Sequence, residues 1–174
     1  MELFLQILAY TIPALIVFIV VYVMLRNFTK EENARRRYLL AKESQKTTLP
    51  IRLNAYERMV LFLERISPDS LLVRLQDDTL TALQYHASLL IDIRAEYEHN
   101  VAQQVYVSDE AWSVIRNAKE NIVQLINACA AKVPPEAPSA QLANVILATY
   151  NQSEDSPTQL AISFVKNEIK KYFV

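Results

Sequence analysis

The chain has 174 residues, a formal net charge of −1 and no glycine. Average usage is ~7% glycine, so about twelve glycines are expected at this length. Their absence excludes the glycine-rich loops that cradle phosphates and dinucleotides, and it disfavours architectures built from tight β-turns.

The first predicted element is a membrane anchor. Leu3 to Leu25 form an uncharged, mostly apolar run of 23 residues. A helix of that length reaches about 34 Å, enough to cross a hydrocarbon core of ~30 Å. A cleaved signal peptide needs a basic segment before the run, whereas Glu2 is the only charged side chain there. A buried core helix would show a polar face, which Leu15 to Leu25 lacks. We therefore predict an uncleaved anchor over residues 1–25.

A stripe of polar and small side chains runs along this predicted anchor at helical steps. Such residues mediate helix pairing in lipid, and Pro13 also frees the carbonyl of Ala9. Two interpretations stay open, a transmembrane contact with another helix and a lone, kinked anchor. The candidate contact residues are Gln6, Tyr10, Pro13 and Ala14.

A basic stalk, residues 26–48, follows the anchor. Residues 26–46 carry seven basic and three acidic side chains, a net of +4, whereas residues 47–174 carry a net of −4. Because positive charge stays on the cytoplasmic side, we predict the N-terminus outside and residues 26–174 in the cytoplasm. The acidic remainder argues against nucleic acid as a partner. Five basic residues are either a topology signal or contacts to anionic headgroups, worth ~1 kcal/mol each: Arg26, Lys30, Arg35, Arg36 and Arg37.

Residues 49–174 are predicted to form a cytoplasmic all-α bundle of about five helices, after a break at Thr47-Thr48-Leu49-Pro50. Apolar residues recur at three- and four-residue steps, and Ser-Pro pairs and a proline-rich segment at 133–138 mark helix ends. We expect helices 78–106 and 109–132 to pack antiparallel across a short turn at Val107-Ser108. The predicted helices cover 51–66, 78–106, 109–132, 140–150 and 157–173, with a further turn of helix at 68–76.

The same spacing predicts which side chains are buried. Cys129, the one cysteine, lies in the apolar pattern of helix 109–132 and is interpreted as a core residue rather than a nucleophile. The solvent face of helix 51–66 is predicted to hold Glu57, Arg58, Glu64 and Arg65. The buried stripe of helix 78–106 is predicted to be Leu80, Leu83, Ala87, Leu90, Tyr97, Val101 and Val105. That of helix 157–173 is predicted to be Leu160, Ala161, Phe164, Val165 and Ile169.

Glu96 and His99 are spaced as one half of a di-iron carboxylate site. Such a site needs a second Glu-x-x-His half and two further glutamates, and the other histidine, His86, has Leu83 three residues before it. The sequence also offers no Ser–His–Asp arrangement. We therefore predict no cofactor, no metal site and no enzymatic activity. The alternative is a metal-dependent or hydrolytic enzyme that uses Glu96 and His99.

A polar and aromatic stretch, residues 97–112, is the candidate partner-binding region. Tyrosine and tryptophan are common anchors of protein interfaces. Alternatively, the aromatic side chains pack in the core near a helix turn, which is favoured because Val101 and Val105 share their face. The candidate partner-binding residues are Tyr97, His99, Gln103, Tyr106 and Trp112.

Two stretches carry a family resemblance: RLNAYERMVLFLERISPDSLLVRLQ (52–76) and EYEHNVAQQVYVSDEAWSVIRNAKENIVQLIN (96–127). With the N-terminal anchor they resemble an uncharacterised family of short single-pass membrane proteins found chiefly in Bacteroidetes. The resemblance implies a bacterial inner-membrane protein. It implies no functional residues, because that family has no established activity.

These features predict a membrane-anchored helical scaffold or adaptor that binds a protein partner at the cytoplasmic face of the inner membrane. They also predict weak or no self-association. Interhelical polar contacts in lipid contribute only ~0.6–2 kcal/mol each. The apolar stripe of helix 78–106 is expected to be used inside its own bundle.

Overall fold

The computed structural model describes residues 1–152 and 156–171, with the side chains of residues 2–14, 34 and 45 outside the description. Over these residues the chain is all-α, with six α-helices and no strand, which confirms the predicted fold class. A 3₁₀ helix, Val101–Val105, follows α3 directly. The α-helices are α1 Glu2–Ile66, α2 Pro68–Arg74, α3 Ala82–Asn100, α4 Asp109–Ala130, α5 Ser139–Asn151 and α6 Pro157–Lys170.

The chain divides into two compact units, Met1–Leu49 and Pro50–Val174. In the first unit every residue from Leu15 to Leu25 is exposed. Among the described residues, no helix holds a stretch that is both long and apolar enough to span a membrane. The predicted anchor begins at Leu3, so its first part falls on side chains outside the described ones. The candidate transmembrane contacts also lie outside them: Gln6, Tyr10, Pro13 and Ala14.

α1 continues through Pro50, where the sequence predicts a break. A proline lacks only its own N–H and has a φ that suits a helix, so one proline weakens a helix without always ending it. Just before it, Thr47 donates its hydroxyl to the carbonyl of Glu43 at 3.4 Å, a bond internal to the helix. The predicted break is therefore wrong, although the boundary between the two units falls at this proline.

The core of the second unit is formed by the last turns of α1 together with α2 to α6. Burial of each large aliphatic side chain contributes ~1.5–3 kcal/mol relative to exposure. Cys129 is buried with its Sγ 3.5 Å from Oγ1 of Thr149, which confirms its interpretation as a core residue. In α1 and α4 the buried side chains include Tyr56, Met59, Leu63, Ile66, Ile115, Ile122 and Ile126.

α3 and α4 pack antiparallel, as predicted. Near one end of the pair, Nε2 of His86 lies 2.8 Å from Oδ1 of Asn127. Near the other end, the rings of Tyr97 and Trp112 stack with centroids 5.7 Å apart. Since residue numbers rise along α3 as they fall along α4, the two helices run in opposite directions.

α3 begins four residues later than the apolar spacing predicts. Before it, the carboxylate of Asp77 accepts hydrogen bonds from the backbone N–H and the hydroxyl of Thr79, at 2.9 and 2.6 Å, which favours a turn over a helix. Thr81 and Gln84 then form a capping box: Thr81 N–H donates to Oε1 of Gln84 at 3.0 Å, and Gln84 N–H donates to Oγ1 of Thr81 at 3.3 Å. The helix therefore starts at Ala82.

The buried face of α3 also differs from the predicted stripe. Tyr85, Leu89 and Ile93 are buried at four-residue steps, whereas Leu83 is 58% exposed and Val105 is 77% exposed. α3 carries apolar residues on two faces, and the other helices bury fully only the face that holds Tyr85, while Leu90 and Tyr97 of the predicted stripe are partly buried against the core. In α6 the same shift leaves Leu160 and Phe164 exposed, while Ala161 and Val165 are buried as predicted.

Candidate functional site

A long seam joins the last part of α1 to α3 and the 3₁₀ helix, within the second unit. Nε of Arg52 donates to the carbonyl oxygen of Tyr106 at 3.1 Å. Further along, Nε of Arg58 donates to Oδ1 of Asn100 at 3.4 Å. Beyond that, Nη2 of Arg65 lies 2.6 Å from Oε1 of Glu96. Residue numbers rise on one side of the seam as they fall on the other, so the two segments run antiparallel.

Two surface cavities open along this seam. The larger, of about 430 Å³, is lined by Arg58, Leu61 and Arg65 of α1 and by Glu96, His99 and Asn100 of α3, among others. The smaller, of about 320 Å³, is lined by Pro50, Ile51, Asn54 and Gln103. We call the surface formed by these ten residues the α1–α3 groove.

The α1 side of the groove is one helical face. Ile51, Asn54, Arg58, Leu61 and Arg65 follow one another at steps of three and four residues, which places their side chains in a row. At ~1.5 Å rise per residue this row is about 21 Å long. Leu61 is 58% exposed and Ile51 is 47% exposed, so the row presents apolar side chains as well as polar ones.

The two arginines of the groove differ in what binds them. Arg65 is ion-paired with Glu96, and its Nε is a buried donor with no acceptor among the described residues. Arg58 contacts only Asn100, through Nε, so both of its Nη nitrogens have no hydrogen-bond partner in the described part of the chain. Asn100 is itself buried and donates from Nδ2 to the carbonyl oxygen of Glu96 at 2.8 Å. Arg58 is thus the cation with binding capacity left.

A second ion pair holds the end of the seam together. Arg74 of α2 makes a two-pronged contact with Asp92 of α3, with Nη1–Oδ1 at 2.8 Å and Nη2–Oδ2 at 2.7 Å. Its Nη2 also donates to the carbonyl oxygen of Arg65 at 3.2 Å. The hydrogen bonds to Asp92 raise the pKa of Arg74 above its usual range. Because this charge is already matched, the pair is structural and fixes α2 against α1 and α3.

The structure separates the five candidate partner-binding residues into two groups. His99 is exposed and lines the larger cavity, and Gln103 lines the smaller one. Tyr106 is 41% exposed, and its carbonyl oxygen accepts from Arg52 at that end of the seam. These three residues therefore lie along the seam, and His99 and Gln103 line the groove. Tyr97 and Trp112 do not, since both are partly buried and packed against the core.

Tyr97 is the centre of an aromatic cluster. Its ring stacks on Trp112 at an interplanar angle of 27° and lies 6.1 Å from the ring of Phe62. Nζ of Lys119 sits 4.2 Å from the centroid of the Tyr97 ring, a cation–π contact. These contacts agree with the packing interpretation of the two aromatic side chains.

Glu96 and His99 line the same cavity but form no metal-binding group. Glu96 is occupied by Arg65, and His86 is bonded to Asn127 instead of turning toward them. Over the residues that the structure describes, there is no cluster of three or more His, Cys, Asp or Glu side chains placed to hold a metal ion.

Sequence reasoning assigned Arg58 and Arg65 to a solvent face and missed their place in the groove. Both are only partly exposed. The available signal was the pattern Arg58, Leu61, Arg65, in which an apolar residue stands between two cations on one helical face. In the first unit, the five basic residues of the predicted stalk are all exposed, and Arg36 pairs with Glu32 at 3.0 Å.

Comparison with known proteins gives one match. Neither the curated proteins nor the solved structures include a match to this chain. A family profile matches residues 2–172, nearly the whole chain. The match supports the resemblance to an uncharacterised family, while membrane topology and a Bacteroidetes source stay predictions. The chain belongs to DUF7935, a family of unknown function.

Proposed function

We propose that the chain is a single-pass, membrane-anchored helical scaffold or adaptor that docks a protein partner in the α1–α3 groove. The observation that carries this proposal is the groove itself. Two of the candidate partner-binding residues, His99 and Gln103, line this surface together with an exposed Leu61 and an arginine with unused donors.

The dimensions of the groove favour a polypeptide over a small molecule. Its α1 face extends about 21 Å, which an extended segment of about six residues covers at ~3.4 Å per residue. Two exposed apolar side chains, Ile51 and Leu61, lie among hydrogen-bonding ones along that length. Interfaces that bind short segments combine such apolar contacts with a few polar groups that fix the register.

The anchor and its orientation complete the proposal. The run from Leu3 to Leu25 is uncharged, and its second half, from Leu15, is exposed on α1. An exposed apolar surface of this extent marks an interaction with a membrane or another protein. Because basic residues follow the run, the proposed orientation keeps residues 26–174 in the cytoplasm, with the stalk near anionic headgroups at the bacterial inner membrane.

Position-resolved crosslinking tests the docking. A photo-crosslinking amino acid replaces Leu61 in the full chain, expressed in its native membranes. A matched chain carries it at Leu160 of α6, which is 54% exposed against 58% for Leu61 and lies outside the groove. A third chain carries it at Gln103, on the opposite side of the groove. We expect one discrete partner band from position 61, the same band from position 103, and none from position 160. Equal crosslinking from all three positions, or none from 61 and 103, would contradict the proposal.

A further inference from the structure

The unused donors of Arg58 indicate what the groove binds. Its Nη1 and Nη2 have no partner among the described residues, and its Nε makes one long contact of 3.4 Å. A guanidinium edge with two parallel N–H donors matches the two oxygens of a carboxylate. We infer that the segment docked in the groove carries an aspartate or glutamate that binds Arg58, beside an apolar side chain that covers Leu61. This inference rests on the proposed function.

The charges around the larger cavity agree with a singly charged anion. Glu96 is neutralised by Arg65 at 2.6 Å, which leaves the charge of Arg58 unmatched within the cavity. This local positive charge stands out, because residues 47–174 together carry a net of −4.

The cavity wall also disfavours a phosphate. Of the two arginines in this wall, Arg65 is already paired with Glu96, so Arg58 alone would face the two negative charges of a phosphate. A membrane surface is disfavoured as well, since Leu61 stands one helical turn from Arg58 inside a groove rather than on a flat basic face. An acidic peptide with a neighbouring Leu, Ile or Phe satisfies both features.

The test uses peptides against the full chain in lipid nanodiscs. An array displays hexapeptides that contain an Asp or Glu next to a Leu, Ile or Phe. Each of these peptides is paired with a second one in which Asn replaces the Asp, or Gln replaces the Glu. The tightest pairs are then measured in solution by fluorescence anisotropy. We expect the acidic peptide of each pair to bind at least tenfold more tightly than its amide counterpart. Arg58→Glu should abolish that preference, and Arg58→Lys should keep only part of it.

Arg116→Glu is the matched control, because Arg116 is exposed on α4, away from the groove. The substitution changes the net charge by the same amount as Arg58→Glu does. It should keep the full preference for acidic peptides. Circular dichroism of each variant checks that the helices are intact. Equal binding of acidic and amide peptides overturns the inference, as does a preference that survives Arg58→Glu or is lost equally in Arg116→Glu.

The two proposals fail separately. A crosslink confined to the groove, with no preference for acidic peptides, overturns the inference and leaves the docking function standing. A crosslink from position 61 to a second copy of this chain also overturns the inference. An acidic preference that depends on Arg58, without any crosslink from positions 61 and 103, keeps the assigned ligand chemistry and contradicts the proposed docking in native membranes.

Discussion

The hydroxyl of Tyr56 on α1 donates a 2.6 Å hydrogen bond to Oε1 of Glu168 on α6, in the core of the second unit. Oε2 of the same carboxylate is buried without a hydrogen-bond partner among the described residues. The Tyr56 hydroxyl also accepts from the backbone N–H of Ser108, the N-cap of α4, at 3.3 Å. One hydroxyl therefore connects three helices.

We predict that Tyr56→Phe destabilises the second unit. The substitution leaves a buried carboxylate without its donor, and an unsatisfied buried polar group costs about 1–3 kcal/mol of unfolding free energy. Thermal unfolding of the full chain in detergent, followed by circular dichroism, measures the effect. Tyr106→Phe is the control, because Tyr106 is 41% exposed and no hydrogen bond of its hydroxyl to the described residues is seen. Equal melting temperatures for the two variants would show that the Tyr56 hydroxyl contributes nothing.

The capping box of α3 gives a second prediction. Thr81→Ala removes the side-chain oxygen that accepts from Gln84 N–H, and loss of an N-cap costs ~1 kcal/mol. A lower melting temperature is expected, with the helix content below the transition unchanged. Ser163→Ala on the exposed side of α6 should leave the melting temperature within error. If Thr81→Ser lowers stability as much as Thr81→Ala does, the hydroxyl is not the stabilising group.

The helical fold follows from local signals in the sequence. Which face of each helix is buried does not. Ser108 and Ser156 mark the starts of α4 and α6 because their side chains accept from backbone N–H groups three residues later. The face of α3 depends on which neighbours cover it. Its sequence holds apolar residues on two faces, so apolar spacing alone does not tell whether the face with Leu83 or the face with Leu89 is buried. The packing of the neighbouring helices buries Leu89.

The groove was predicted only in part, for a similar reason. The polar and aromatic stretch drew attention to His99 and Gln103, which do lie along it. The α1 side was missed because Arg58 and Arg65 look like ordinary solvent-facing charges when their helix is considered alone. Their role depends on Asn100 and Glu96, which are more than 30 residues away in sequence and come close only when α3 packs against α1.

The turn before α3 predicts a pH dependence. Hydrogen bonds from the hydroxyl and the backbone N–H of Thr79 hold the pKa of Asp77 below its usual range. A lowered folded-state pKa contributes stability above the unfolded value of ~3.9, and that contribution is lost as the pH falls through the folded value. We expect Asp77→Asn to lower the melting temperature at pH 6, with the difference from wild type shrinking below pH ~4. Thr79→Ser should behave as wild type, whereas Thr79→Val should raise the pKa of Asp77 in a carboxyl NMR titration. A constant difference across this pH range would mean that the Asp77 charge does not stabilise the turn.

The proposed orientation predicts the activity of reporter fusions. A C-terminal fusion to a reporter that works only in the cytoplasm should be active, and one that works only in the periplasm should be inactive. Replacing Arg35, Arg36 and Arg37 by glutamine removes three of the basic residues that follow the run, so a fraction of the chains should invert. As a control, the fusion with the triple change must reach a protein level similar to that of the unmodified fusion, so that a change in reporter activity reflects orientation. Periplasmic activity of the unmodified fusion would overturn the orientation.

The exposed face of α3 makes the predicted weak self-association testable. The prediction assumed that this helix buries its apolar stripe in its own bundle, yet Leu83 and Ile91 are 58% and 67% exposed. They stand two helical turns apart with Ala87, also exposed, between them. Three side chains cover far less than the ~1,200–2,000 Å² that a stable interface buries, so we still expect weak pairing. Light scattering of the full chain in detergent should give a monomer at micromolar concentration, unchanged by Ile91→Glu. A tight dimer that Ile91→Glu dissociates would show that this face is an interface between copies of the chain, whereas a tight dimer that survives Ile91→Glu would place the contact elsewhere.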